Sequence, residues 1–267
     1  MKRPVFYFIL IGFFFGLYSC QEFDSNPKAL VNLILVDAPA QWDSVFVEIL
    51  GADVEVITAG KDDGTIETFF LPYQPGDKKI EVSALVGGEA LLLGRDELPA
   101  GKILKVTLRL GNDHSLYLDE KEYPLPLTDQ TNTEVSLPIE LSIDQGLSYD
   151  LVLDFDLEKS IKVLDESPLS LQLDPRLTIF RGAGSGELSG SLSPNTIKPA
   201  VFAIKGDDSV STHPSTTGSY EFRLPEGLYS IYFDPKDELY QDTLITNVEI
   251  IAGEPANLPR VTLKKKP

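Results

Sequence analysis

From about residue 29 onward, apolar and polar side chains alternate with a period of two. Val135, Leu137, Ile139, Leu141 and Ile143 alternate with Ser136, Pro138, Glu140 and Ser142. Leu147, Tyr149, Leu151, Leu153 and Phe155 share one phase, opposed mostly by Ser148, Asp150, Asp154 and Asp156. Leu104, Val106, Leu108 and Leu110 alternate with Lys105, Thr107 and Arg109. Successive side chains of an extended strand point to opposite faces, so each run predicts an antiparallel strand with one face on a core and one in water. Turn-forming residues separate the runs: Gly60-Lys61-Asp62-Asp63-Gly64, Gly87-Gly88, Gly111-Asn112-Asp113 and Asp144-Gln145-Gly146. Short strands at this spacing predict a sandwich or barrel rather than βαβ units. Helical periodicity is confined to a turn or two at Leu157-Glu158-Lys159-Ser160-Ile161. Pro124, Pro126 and Pro138 within extended stretches predict edge strands or bulges, because proline donates nothing to a ladder.

Arg181-Gly182-Ala183-Gly184-Ser185-Gly186 is the richest small-residue stretch and marks a boundary. Beyond it, Leu188, Gly190 and Leu192, then Val201-Phe202-Ala203-Ile204, begin a shorter unit. Tyr220, Phe222 and Leu224 oppose Glu221 and Arg223, and Tyr229, Ile231 and Phe233 share a face opposed by Tyr232. The reading is an all-β protein: two antiparallel β-sandwich domains in tandem, residues 29–181 and 182–267.

The first 20 residues follow a different pattern. Lys2 and Arg3 precede an almost unbroken apolar run from Val5 to Leu17. The run is short of the roughly 20 apolar residues that span a bilayer, and fits a secretory signal. Its end, Leu17-Tyr18-Ser19-Cys20, resembles the bacterial lipobox. That resemblance implies cleavage after residue 19 and acylation of Cys20, with residues 20–28 as a tether. Several fatty chains on one cysteine make a lasting anchor, since each buried methylene contributes about 0.8 kcal/mol. Gln21 rather than Asp follows the cysteine, and Glu22 and Asp24 resemble a short acidic export tag; a solvated acidic tether is the alternative. The expected address is the outer membrane, with display at the cell surface.

Charge and composition narrow the function. The 267 residues carry 23 Lys+Arg against 41 Asp+Glu, a formal net charge of -18. Removing residues 1–19 takes away Lys2 and Arg3 and no acids, which sharpens the charge of the remaining chain to −20. Such a chain has no electrostatic footprint for nucleic acid and is held off anionic lipid. A single Cys excludes a disulfide framework and thiolate metal sites, and His114 and His213 are too few for a histidine metal centre. No metal or cofactor is expected.

Two family resemblances overlay this reading. Leu33-Ile34-Leu35-Val36-Asp37-Ala38-Pro39, Trp42-Asp43 and Val45-Phe46-Val47-Glu48-Ile49 resemble the opening of the bacterial domain-of-unknown-function family 4382. Leu98-Pro99-Ala100-Gly101-Lys102, Val106 to Leu110, Leu151 to Asp156 and Ser160-Ile161 agree with it in order over about residues 29–180. The resemblance implies an immunoglobulin- or transthyretin-like sandwich in secreted or lipid-anchored proteins, with no established activity. Gly218-Ser219-Tyr220-Glu221-Phe222 and Leu224-Pro225-Glu226-Gly227-Leu228-Tyr229 are similar to carboxypeptidase-regulatory-like, transthyretin-like modules. Ser215-Thr216-Thr217 stands where that family more often has an Asp, and Gly186 to Leu192 holds no Lys for an isopeptide bond.

The candidate chemistry is sparse. No nucleophile elbow, phosphate loop or metalloprotease helix is present, and His114 and His213 read as solvated turn residues. Asp154 with Asp156, and Asp37 with Asp43, are the acid pairs with calcium or hydrolytic potential. Set against that, Asp37 reads as a turn cap before Ala38-Pro39 and the others as outward-facing acids. Trp42, Tyr232 and Tyr240 are the rings that would bind sugar if exposed, and core or turn packing is their ordinary use. The reading is a non-enzymatic lipoprotein held by Cys20 that binds a glycan or a surface protein, with adhesion as its role. An assembly subunit joined through sheet edges is the alternative, and a carboxylate-based hydrolase a third.

Overall fold

The computed structural model describes residues 27–37, 42–60, 65–86, 89–129, 133–197, 199–206 and 208–267. The signal, Cys20 and most of the tether lie outside these residues. The first domain contains β1 (Lys28–Asp37), β2 (Ser44–Thr58), β3 (Ile66–Pro72), β4 (Lys79–Glu81), β5 (Leu91–Pro99), β6 (Gly101–Leu110), β7 (Ser115–Leu118) and β8 (Lys121–Pro124). It continues with β9 (Glu134–Ile143), β10 (Ser148–Phe155), the single turn α1 (Leu157–Ser160), β11 (Ile161–Glu166), β12 (Leu169–Leu173) and β13 (Leu177–Arg181). The second holds β14 (Ser185–Ser193), β15 (Ala200–Lys205), β16 (Asp208–Thr212), β17 (Ser219–Pro225), β18 (Gly227–Asp234), β19 (Thr243–Ile250), β20 (Pro255–Asn257) and β21 (Val261–Thr262).

The fold is all-β, two sandwiches in tandem. In the first, a sheet ordered β13-β10-β1-β5 faces one ordered β8-β7-β2-β6-β9, with β3 and β4 also on β2. The long β2 pairs β6 and then β7 antiparallel along its length. In the second, β17-β14-β20 with β21 faces β16-β15-β18-β19. The antiparallel rule has exceptions in each: β1 runs parallel to β10, and β14 parallel to β20 and β21. Each sandwich has its own apolar core. Leu33, Leu35, Val47, Val54, Leu108 and Phe155 are among the fully buried side chains of the first, Leu188, Ile231 and Phe233 among those of the second.

Where alternation holds, it positions the strands as expected: Tyr220, Phe222 and Leu224 point inward, as do Tyr229, Ile231 and Phe233. Pro124 and Pro138 lie on the end strands β8 and β9. The departures have local causes. A bulge between Ile103 and Lys105 shifts the phase of β6, so Ile103 and not Leu104 enters the core. Leu147 precedes β10 and is 53% exposed. The β7–β8 hairpin turns on Asp119 and Glu120, both at positive φ (50° and 62°), although neither is a glycine. The Asp43 carboxylate stabilises that turn by accepting from the Asp119 N–H at 2.8 Å.

The Gly218 to Tyr229 stretch has a physical reading. Gly218 sits at φ 83°, and a Cβ there would meet the Leu192 carbonyl oxygen at 2.7 Å. Tyr229 packs inward while its hydroxyl donates to the Pro225 carbonyl at 2.9 Å. Ser215-Thr216-Thr217, in the place of an Asp, makes a hydroxyl-stapled turn, with Ser215 and Thr217 oxygens 2.8 Å apart and the Gly218 N–H donating to the Ser215 carbonyl at 2.8 Å.

Candidate functional site

The polar chemistry that the sequence scatters over two domains meets at the seam between them. β10 ends at Phe155, and Asp156 leads the chain at once into α1. Asp156 caps that turn, its Oδ1 accepting from the Lys159 N–H at 3.0 Å. The same oxygen accepts from Ser211 Oγ of β16 at 2.6 Å. Lys159 Nζ stands 3.1 Å from Asp156 Oδ2 and also donates to the Ser209 carbonyl of β16. Glu158, between them, pairs with His213 Nε2 at 2.8 Å and with Lys236 Nζ at 3.1 Å. Three polar groups at a single turn, Asp156, Glu158 and Lys159, thus grip four positions of the second sandwich.

Burial sets the electrostatics of this seam. Asp154 and Asp156 are only 5% and 4% exposed, which corrects their reading as outward-facing acids. Strand alternation puts Asp154 on the face away from the first core, where it is buried beside Asp156 and Lys159, the two groups that bond to β16. Desolvation, then the neighbouring charge of Asp156, push the Asp154 carboxyl up to about 7, against the attraction of Lys159. Burial pushes Glu158 up too, but the hydrogen bonds and charges of His213 and Lys236 outweigh it and hold the carboxyl below its usual range.

The histidine reading is also corrected. His213 is 2% exposed and His114 5%. His114 Nδ1 accepts from the Glu48 N–H at 3.1 Å, and burial lowers its pKa. Turn composition did not reveal that both turns are covered by neighbouring strands.

Asp154 and Asp156 are buried rather than set in an open cleft. Asp37 closes β1 and is buried, its N–H donating to the Leu85 carbonyl at 2.8 Å; the turn after it lies outside the described residues. Asp43 serves the β7–β8 turn. Among the described residues no group of three or more His, Cys, Asp or Glu is placed to hold a metal ion.

The rings divide. Trp42 packs against the first core and Tyr240 against the second, where Lys265 lies 6.0 Å from the Tyr240 ring. Tyr232 faces outward from β18, half-buried, its ring 6.1 Å from Phe202 of β15 and its hydroxyl donating to Asp242 at 2.9 Å. Leu244 of β19 stands beside it, 56% exposed.

A second outward pair escaped the sequence reading. In Val45-Phe46-Val47-Glu48-Ile49 the valines and isoleucine enter the core, so Phe46 occupies a solvent-phase position. β7 pairs in the register Ser44 to Tyr117 and Phe46 to Ser115, which puts Phe46, Ser115 and Tyr117 on one face. The Phe46 and Tyr117 rings meet edge to face, centroids 5.8 Å apart at 72°. They line a shallow cavity of about 240 Å³ with Asp77, Lys79, Ser115 and Glu122. The signal in the sequence was the aromatic at a polar phase of a clean alternation.

A family model described as "Domain of unknown function (DUF4382)" matches residues 28–175. No curated protein matches the chain. Among solved structures, the Bacillus anthracis TIE protein is similar at 13% identity and TM-score 0.24, over 90% of this chain and 34% of that one. The chain thus spans about a third of that relative's length. GBS52, the minor pilin of Streptococcus agalactiae, is similar at 10% identity and TM-score 0.23, over 88% of this chain and 96% of that one. The tip fimbrial protein Mfa3 from Porphyromonas gingivalis is similar at 8% identity and TM-score 0.24, over 81% of each chain.

Proposed function

The chain belongs to the DUF4382 family, and we propose that it is a non-enzymatic, lipid-anchored protein of the outer membrane that binds carbohydrate at the cell surface and serves in adhesion. The observation that carries this reading is the pair of outward aromatic clusters, Phe46 with Tyr117 on the first sandwich and Phe202 with Tyr232 on the second. Rings held half-exposed on a rigid sheet offer apolar faces at little entropic cost, as sugar binding needs. The polar seam supports the reading by tying the two sandwiches together. A buried ion pair adds little net stability against an apolar substitute, but it is costly to break, and here it specifies how the domains sit.

In this proposal Cys20 carries the lipid and residues 20–28 form the tether. Nine extended residues reach at most about 30 Å, enough to lift the body clear of headgroups. The acidic charge opposes collapse onto anionic lipid. Membrane partnering is through acylated Cys20 alone, with no nucleic acid and no cofactor.

A second reading, an assembly subunit, is favoured by β19. Among the described residues this eight-residue strand pairs with β18 alone, and Leu244 is exposed beside that open edge. A glycan array and a whole-cell pull-down with the purified protein separate the two: glycan hits support adhesion, and protein partners lost on placing a proline in β19 support assembly. Labelling with radioactive palmitate tests the anchor. Cys20→Ala is expected to abolish label and membrane retention; a labelled C20A protein would contradict the anchor. Protease shaving of intact cells is expected to remove the protein, and its survival would contradict surface display.

A further inference from the structure

We propose that the cavity at Phe46, Ser115 and Tyr117 is a binding site for one ring of a neutral saccharide. This deepens the carbohydrate reading and rests on it. The two rings stand at 72° and make a corner rather than a flat patch. Such a corner receives the apolar C–H face of a pyranose while its hydroxyls point to the rim. At about 240 Å³ the cavity is below the size of drug-sized pockets and suits a single ring.

The floor supplies a separate indication. Ser115 is 4% exposed, and among the described residues its Oγ has no hydrogen-bond partner. Register puts it on the face of the rings, directly opposite Phe46, and it lines the cavity. A buried hydroxyl without a partner carries a desolvation cost that a ligand hydroxyl relieves.

The rim sets the class. Asp77 and Glu122 offer carboxylate acceptors for sugar hydroxyls, and Lys79 offers the one ammonium donor. Lys79 is already paired with Asp113 at 2.8 Å, so the cavity retains an excess of negative charge. Uronates and sulfated sugars are repelled by it. A ligand ammonium would suit the acids and the rings and could donate to the Ser115 oxygen, but it offers no acceptor for the Ser115 O–H, which a sugar hydroxyl does. A hydroxylated neutral ring satisfies all of these groups together.

The test uses the full chain purified in a non-glycosidic detergent. It is titrated calorimetrically with mannotetraose, xylotetraose and chitotetraose, with oligogalacturonate and oligolysine alongside. At least one neutral oligosaccharide is expected to bind. Phe46→Ala and Tyr117→Ala are each expected to weaken that binding about tenfold or more. Ser115→Ala is expected to weaken it about threefold without lowering the melting temperature, because removing an unpartnered hydroxyl does not cost the fold. Trp42 fluorescence verifies that each variant is folded. Neutral-sugar binding unchanged in both aromatic variants would overturn this site and leave the carbohydrate reading standing; failure of every saccharide to bind the wild type would overturn both. Oligogalacturonate or oligolysine bound in preference, and lost with Tyr117→Ala, would overturn the ligand class.

Discussion

Replacing Asp154 by Asn puts the energetics of the seam to a quantitative test. The Asp154 carboxyl is raised from 3.8 to about 7 by burial and by Asp156. The folded protein therefore keeps this proton over a pH range in which the unfolded chain has lost it. The sign follows: the contribution is fully present below about pH 4, declines as pH rises from 4 to 7, and is gone above. Each pKa unit is worth about 1.4 kcal/mol, so the whole window amounts to roughly 4 kcal/mol, an upper figure because the seam can relax. Asp154→Asn is neutral at every pH and nearly isosteric. Allowing about 1 kcal/mol for an amide with imperfect partners, the variant is expected to match or trail the wild type slightly at pH 4.5 and to exceed it by about 2–3 kcal/mol at pH 8. The assay is urea unfolding at both pH values, followed by circular dichroism and by Trp42, the single tryptophan, which reports the first sandwich. A variant less stable than wild type at pH 8, or a difference between the two proteins that does not change with pH, would show that Asp154 is not held protonated by burial.

Other consequences are as direct. Glu158→Gln is expected to cost about 1–3 kcal/mol, by weakening the pairs to His213 and Lys236, and to split unfolding into two transitions, with Trp42 fluorescence and circular dichroism no longer coincident; coincident, unshifted transitions would count against a coupling role for the seam. Gly218→Ala, at φ 83° with a Leu192 oxygen 2.7 Å from the new Cβ, is expected to lose about 1–3 kcal/mol in chemical denaturation. Leu33→Ala, in the first core, is expected to lose about 2–5 kcal/mol, read as an early Trp42 transition.

Much of the architecture was legible in the sequence because strand alternation reports a half-buried sheet residue by residue. Val135 to Ile143 and Tyr220 to Leu224 are cases where one face is core and the other water. Alternation misleads where that premise fails. A single bulged residue turned Leu104 out of phase and put Ile103 inside. Asp154 obeys the alternation perfectly, but it is buried beside Asp156 and Lys159, whose partners Ser211 and Ser209 on the second sandwich lie about 50 or more positions away. His114 and His213 read as solvated because turn residues are polar for backbone reasons, and nothing local announces that a turn is buried. The candidate binding face was legible in part. Tyr232 was singled out and does face outward, whereas Phe46 was hidden by its apolar neighbours, and only the register of β7 against β2 brings Tyr117 and Ser115 beside it. The lipid anchor at Cys20 was read from sequence and lies outside the described residues.

The proposed hold on carbohydrate through the Phe46 and Tyr117 rings is tested by plating cells that display either the wild-type chain or the Phe46→Ala/Tyr117→Ala double variant, at equal surface density, on wells coated with the neutral oligosaccharides. Retention of wild-type cells and loss of the variant cells is the predicted result, and equal retention of both would contradict it.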